Sequence, residues 1–271
     1  KMKINILDGG MIFEINKKYS DYGQFAIKYD HSFIENIYKS YIDIGCRYIT
    51  TCNYCFTPTK LEDWKDLCKT SVDLMQKFRN NEIKVCGSIP PFFSSYQYQE
   101  INDKFIDFYD TLIKMFRNKV DYYIIETSID FNHVNEICKI IKKLDSSTNI
   151  IVSLYINDRI EKDITKFFDL DVYGIFFNCC SFQTLVNFYD EKLRNQSFNK
   201  KIFGFYCNKI NERSYSKASN ITELQKFKNN ENIKKENLNF FLNSLNFEEI
   251  FIGGCCGYGI EDMKELISFF N

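Results

Sequence analysis

The chain carries no excess of charge of either sign: 35 Lys and Arg stand against 36 Asp and Glu in 271 residues, a formal net charge of −1. The basic residues are spread out rather than gathered into a stripe, so nucleic acid is not expected as a partner. No apolar run reaches the ~18 residues that a bilayer span requires, and no membrane segment is expected. The opening KMKINILDGG passes straight into a strand-like segment without a secretory pattern, which reads as a soluble, cytoplasmic protein. Nucleotide signatures are missing as well. No GxGxxG follows the first strand-like run and no GxxxxGK[ST] occurs, which leaves a nucleotide or dinucleotide site without support. Histidine is nearly absent: His31 and His133 are each alone, and neither is expected to bind a metal.

Cysteine, by contrast, is plentiful, with eleven residues. Disulfide frameworks belong to short secreted chains, so these thiols are expected to be reduced. Cys46, Cys68, Cys86 and Cys138 sit singly within apolar patterns and read as small core residues. Cys179 in FFNCC, and Cys255 and Cys256 in GGCC, ask for a different explanation.

Eight short runs rich in Ile, Val, Phe and Tyr recur: KINIL (3–7), RYITT (47–51), IKVCG (83–87), DYYIIE (121–126), NIIVSLY (149–155), VYGIFFN (172–178), KIFGFY (201–206) and EEIFIGG (248–254). Between them apolar residues recur every three to four positions, as in Phe33, Ile34, Ile37, Tyr38, Tyr41 and Ile42, or Phe105, Phe108, Tyr109, Leu112 and Phe116. That spacing predicts amphipathic helices. Further helices are expected over 61–78, 132–144, 183–193, 236–245 and 261–270, with a poorer one over 164–170. Apolar strands joined by helical crossovers call for a parallel sheet, and eight such units close a (β/α)8 TIM barrel, here as one domain over 1–271. A doubly wound open sheet is the second choice. Residues 211–235 are polar, rich in Lys, Asn and Ser, and read as a long surface loop after the seventh strand.

A barrel of this kind places its chemistry at the C-terminal strand ends. Asp8-Gly9-Gly10, Asn53-Tyr54, Gly87-Ser88, Glu126-Thr127, Asn178-Cys179-Cys180, Asn208 and Cys255-Cys256 all fall there. If Cys179, Cys255 and Cys256 converge on one ion, three soft sulfurs suit Zn2+ and leave its fourth position open. A closed structural site would add a fourth Cys or His, and there is no CxxC pair with a matching partner. Neighbouring strand residues point to opposite faces, so Cys255 and Cys256 share an ion only if the pleat breaks. The flanking Gly253, Gly254 and Gly257 permit that break. For Cys179 and Cys180 the same alternation sends one sulfur to the cavity. The plainer reading remains open: glycines that make a turn and cysteines that fill space. Tyr54, at the mouth, is a candidate face for a cationic group.

These residues resemble the homocysteine S-methyltransferase family. The likeness runs through LDGG (7–10), TCNY (51–54), GS (87–88), DYYIIET (121–127), GIFFNC (174–179) and GGCCG (253–257). It implies a zinc-dependent barrel whose metal is held by Cys179, Cys255 and Cys256, with homocysteine sulfur as the fourth ligand. It further implies that Asp8 and Glu126 hold the substrate ammonium and that the backbone at Gly9 and Gly10 lies near the substrate carboxylate. Tyr54 and Asn178, at strand ends in the same mouth, are further candidates for substrate binding. The implied reaction moves a methyl group from S-methylmethionine, S-adenosylmethionine or betaine to homocysteine, giving methionine. The alternative is a zinc-binding barrel without turnover that acts as a thiol sensor or interaction protein. Departures from the family pattern fall on the donor side: GSIPPFF (87–93) brings in Pro90, Tyr206-Cys207-Asn208-Lys209 follows strand seven, and Tyr38 or a neighbour stands where a His is common.

Overall fold

The structure, a computed structural model, describes residues 2–93, 95–96, 98, 100–196, 202–209 and 232–270. Eight strands alternate with helices: β1 (Lys3–Ile6), β2 (Tyr48–Thr50), β3 (Lys84–Ile89), β4 (Tyr122–Ser128), β5 (Asn149–Leu154), β6 (Gly174–Asn178), β7 (Ile202–Cys207) and β8 (Glu249–Gly254). Three helices precede β2: α1 (Met11–Ile15), α2 (Gln24–Tyr29) and α3 (His31–Asp43). Then follow α4 (Trp64–Met75), α5 (Asp103–Phe116), α6 (Phe131–Leu144), α7 (Asp158–Phe168), α8 (Phe182–Phe188, continued by a wider turn to Leu193), α9 (Lys235–Ser244) and α10 (Ile260–Ser268).

Side-chain caps fix where several helices begin. Asn102 accepts from Phe105 N–H at 3.1 Å, Asp130 from Asn132 N–H at 3.0 Å, Asn157 from Ile160 N–H at 3.1 Å and Ser181 from Thr184 N–H at 3.0 Å. Each satisfies an amide that helix geometry leaves unpaired and contributes about 1 kcal/mol. The Asn157 cap explains why α7 starts six residues before the expected 164, on a stripe of buried Ile160, Ile164, Phe167 and Phe168. The short helices α1 and α2 were not expected, because five or six residues are too few to display a helical period. Most of the expected loop over 211–235 lies outside the described residues, and α9 begins at its last position.

All strand pairs are parallel, in the order β1-β8-β7-β6-β5-β4-β3-β2. The ring is closed by a Leu7–Tyr48 bridge, with Arg47 N–H to Ile6 O and Asp8 N–H to Tyr48 O each at 3.0 Å. Lys3 pairs with Glu249, which pairs with Ile202. Carried on through β6, β5, β4, β3, β2 and the closing bridge, the line returns to the first strand at position 11, eight residues further on. That stagger is the shear of a TIM barrel, and closure rules out the open doubly wound sheet.

Alternation along the strands fills the interior with Leu7, Cys86, Ile124, Ile151, Phe176, Tyr206 and Phe251. Near the strand starts Tyr48, Tyr122 and Tyr173 meet the Phe251 ring at 4.7, 6.5 and 6.5 Å and plug that end. Outward residues pack under the helices, where Cys46, Cys68 and Cys138 are buried as expected; Cys86 is buried inside the barrel. All eleven cysteines are free thiols. None of the helices among the described residues is long and apolar enough to cross a membrane.

Gly204 keeps room for the Phe176 ring, since a Cβ there would lie 2.7 Å from it. Gly204→Ala should therefore destabilise the protein by about 1–3 kcal/mol through overpacking. A second change, Phe176→Leu, should recover part of that loss, as measured by urea unfolding of the single and double variants.

Candidate active site

At the C-terminal ends of the strands lies a cavity of about 280 Å³. Its walls include Asp8, Gly9 and Gly10 after β1, Tyr54 after β2, Glu126 and Thr127 of β4, Asn178 and Cys179 at β6, and Cys255 and Cys256 after β8. All nine residues expected to form the metal and substrate site thus border one space, as does Thr127, which was also expected at a strand end. Asn53, Ser88, Cys180 and Asn208 stand behind this wall.

The sulfurs converge. Cys179 Sγ lies 3.1 Å from Cys255 Sγ, and the Cys256 thiol hydrogen-bonds with both. Two backbone departures bring this about. Asn178 is inward-facing, so an unbroken pleat would turn Cys179 out and Cys180 in. Cys179 instead adopts a left-handed conformation, φ 59°, which swings its sulfur into the cavity and leaves Cys180 in the outer core. One sulfur of the pair faces the cavity, as expected, but by breaking the alternation rather than obeying it. At the other segment the strand ends at Gly254, and the turn over 255–257 is completed by Gly257 at φ 84°. Gly253 and Gly254 do not make the break. They stay in β8 because a Cβ would strike Leu7 Cβ at 2.7 Å in the first case and Tyr258 Cβ at 2.3 Å in the second.

Asn208, at the end of β7, ties the two segments together. Its Nδ2 donates to Cys179 O at 2.7 Å and its Oδ1 accepts from Cys256 N–H at 3.1 Å. Asn178 works from the other side: its Nδ2 donates to Thr127 Oγ1 at 2.9 Å and to Cys179 Sγ at 3.2 Å. Its Oδ1 accepts from Ser153 Oγ at 2.8 Å and from Thr127 N–H at 3.1 Å. The Asn178 side chain is therefore occupied in orienting the sulfur. The Tyr96 hydroxyl also hydrogen-bonds Cys179.

The crowded sulfurs resist ionisation. Hydrogen bonds to Cys179 and Cys256, together with burial, hold the Cys255 thiol well above its usual range. Cys179 is also raised: the hydrogen bond from Cys255 favours its thiolate, but that from Cys256 and burial prevail. Among the described residues no three His, Cys, Asp or Glu side chains stand in a ready-made ion cage. The donor set nevertheless fits zinc. Three thiolates at about 2.3 Å from a tetrahedral ion are spaced by about 3.8 Å, so the 3.1 Å thiol contact has to open by less than an ångström. The histidines take no part: His31 Nε2 bonds to Ile27 O at 2.7 Å and His133 stacks on Tyr98.

Two carboxylates line the same cavity. Asp8 Oδ2 accepts from Thr50 N–H at 2.8 Å and Oδ1 from Thr50 Oγ1 at 2.9 Å. Glu126 accepts from Ser88 Oγ at 2.5 Å and Tyr206 OH at 3.1 Å. Burial pushes Asp8 up to about 7 against its Thr50 bonds, with the Glu126 charge adding to the rise. Burial also pushes Glu126 up to about 7, overcoming its Ser88 and Tyr206 bonds. Such a pair favours a cationic guest. Gly10 N–H is already taken by Tyr258 O at 2.7 Å. Tyr54 OH is held by Ser95 Oγ at 2.7 Å and donates to Thr127 Oγ1 at 3.0 Å. Pro90 is not on this wall; it borders a neighbouring cavity of about 30 Å³, and its carbonyl accepts from Tyr109 OH at 2.9 Å.

Sequence reasoning gave no role to Thr50, Ser88, Tyr206 or Asn208. Period-two alternation points Ser88, Glu126 and Tyr206 all inward, a signal that was available. The sequence also carries the CxxC spacing Cys52-x-x-Cys55 after β2, and both residues border the cavity.

A closed parallel barrel with its cavity at the C-terminal strand ends has the layout of a TIM-barrel enzyme. The chain belongs to the homocysteine S-methyltransferase family, which it matches over residues 5–270. It is similar in structure to the Escherichia coli homocysteine methyltransferase MmuM. The metallated form gives a TM-score of 0.74 at 16% identity, covering 99% of this chain and 96% of the other. The oxidized form gives 0.73 at 17% identity over 99% and 96%, and the apo form 0.71 at 16% over 99% and 97%. At these identities the likeness concerns the fold. No curated protein matches the chain in sequence.

The carboxylates set a pH dependence. Their folded values near 7 exceed the ordinary values of 3.8 for Asp8 and 4.5 for Glu126. Their contribution to stability is therefore full below pH ~4 and lost as pH rises through ~7. Unfolding free energy of the ligand-free protein should fall over this window by a few kcal/mol more than in the Asp8→Asn/Glu126→Gln variant, read by denaturant titration at each pH.

Proposed function

We propose that the protein is a zinc-dependent methyltransferase that methylates homocysteine to methionine. The observation that carries this reading is the meeting of Cys179, Cys255 and Cys256 from two distant segments, in the cavity that the buried Asp8 and Glu126 also line. Family membership supplies the acceptor. Cys179, Cys255 and Cys256 would hold the zinc, which supplies a Lewis acid that lowers the acceptor thiol's pKa and leaves a place for its sulfur.

This chain's own residues do the remaining work. Asp8 and Glu126 receive the acceptor's ammonium, and its charge draws both carboxyls into their ionised form. The acceptor's carboxylate falls to the backbone at Gly9 and the start of α1, since Gly10 N–H is engaged by Tyr258. Asn178 and Tyr96 hydrogen-bond Cys179 and Asn208 ties the Cys179 and Cys256 backbones, so the two cysteine segments stay aligned as the sulfurs open around the ion. Tyr54 and Tyr96 border the same cavity and offer ring faces to a cationic methyl donor such as S-methylmethionine, S-adenosylmethionine or betaine. In the transfer the methyl carbon gains a bond to the acceptor sulfur as its bond to the donor sulfur or nitrogen breaks. The broken bond's electron pair stays on the donor, and the acceptor's thiol proton passes to solvent.

Protein prepared under reducing conditions with zinc should contain about one ion per chain and form methionine from homocysteine with at least one of the three donors. Cys255→Ser should lower both metal content and turnover by at least about a hundredfold in rate, the scale of losing a ligand rather than a neighbour of one. Zinc and thiol binding without methionine from any donor would instead make the protein a sensor or interaction barrel.

A further inference from the structure

The cavity is charged unevenly. Asp8, Glu126 and the cysteine sulfurs occupy its wall at the strand ends, whereas the basic side chains among the described residues that border it come down to one, Lys60. Lys60 lies on the loop between β2 and α4, exposed to solvent at the opening. Its turn is firmly held. Lys60 N–H and Leu61 N–H both bond to Thr57 O at 3.0 Å, and the neighbouring Thr59 Oγ1 bonds to Phe92 O at 3.1 Å. Thr57 is itself fully buried and bonds to Thr59 through its hydroxyl at 2.9 Å. The ammonium has no acidic partner among the described residues, and the nearby Asp63 is taken by Lys28. Its charge is felt inside the cavity, where it favours ionisation of the Cys55 thiol against the stronger effect of burial.

We propose that Lys60 is a specificity-determining residue that binds the carboxylate of the methyl donor and so selects zwitterionic donors over simple cationic ones. The inference rests on the methyl-transfer reading. A donor entering this cavity has its sulfonium or ammonium drawn toward the carboxylates and thiolates. A carboxylate on the same donor is repelled from that wall and is set against Lys60, the one cation that borders the cavity among the described residues. The acceptor is already provided for, with its ammonium at Asp8 and Glu126. A donor without a carboxylate would leave Lys60 unused and gain nothing from it.

The test compares S-methylmethionine with its carboxamide at pH ~6, where the α-ammonium of both stays protonated and they differ in the carboxylate charge, on zinc-loaded wild type, Lys60→Gln and Lys60→Arg. Initial rates and calorimetric donor binding are measured together. Wild type should favour the carboxylate form in affinity and in kcat/KM by about three- to fivefold, the range of an ion pair that water still reaches. Lys60→Gln should lose this preference by weakening only the carboxylate form, Lys60→Arg should keep it, and added salt should erode it. The KM for homocysteine should stay within about twofold. An unchanged preference in Lys60→Gln, or a raised homocysteine KM in its place, would overturn the assignment. Calorimetry keeps the two questions apart: binding discrimination without methionine formation refutes the methyl-transfer reading, and methionine formation without discrimination refutes the role of Lys60.

Discussion

Everything at the barrel mouth depends on the hydrogen-bonded adjacency of β6, β7 and β8. Cys179 and Cys255 are 76 positions apart in sequence, yet their sulfurs lie 3.1 Å apart because the strands that carry them flank β7. Asn208 occupies the gap at the end of β7 and joins Cys179 O to Cys256 N–H. A buried polar side chain with both ends satisfied is costly to replace, since the partners it leaves would be unpaired and desolvated. The asparagine therefore converts sheet register into sulfur spacing.

The same neighbourhood stores unfavourable conformations and charges. Cys179 and the β-branched Thr127 both have positive φ, at 59° and 52°, each costing on the order of 1–3 kcal/mol. Thr127 is held there by Asn178, which takes its N–H and donates to its hydroxyl. Burial meanwhile pushes Asp8 and Glu126 up to about 7 and raises Cys255. The ligand-free site thus holds acids and thiols whose charged forms are disfavoured, and charged guests relieve it. Stability is lowered so that binding can be strong, an arrangement common where function requires a prepared environment.

Much of this was legible in the chain. The strand runs were visible because buried parallel strands read as near-continuous apolar segments, and eight of them fixed the architecture. Boundaries shifted by one to two residues, as β3 and β4 ran on to Ile89 and Ser128, since hydrogen bonding rather than hydrophobicity ends a strand. The helices α1 and α2 were hidden by their shortness, and the early start of α7 by a cap residue that lies outside the apolar stripe. At the site, residue type and strand-end position sufficed to single out Asp8, Glu126, Cys179, Cys255 and Cys256. They did not reveal that Asn178 and Asn208 serve the sulfurs, or which glycines bend the chain.

What the sequence determined by itself is the repeating order of apolar strand and amphipathic helix, together with the chemical kinds of group placed at each strand's end. Both are local properties, written in spacing and side-chain type. Only the tertiary structure decided that Cys179 turns in while Cys180 turns out, that Gly253 and Gly254 serve close packing while Gly257 makes the turn, and that Lys60 borders the cavity with no acidic partner among the described residues. Those outcomes depend on backbone dihedrals and on atoms brought together from remote positions. A linear pattern carries neither, because each is settled by which neighbours the closed barrel makes available.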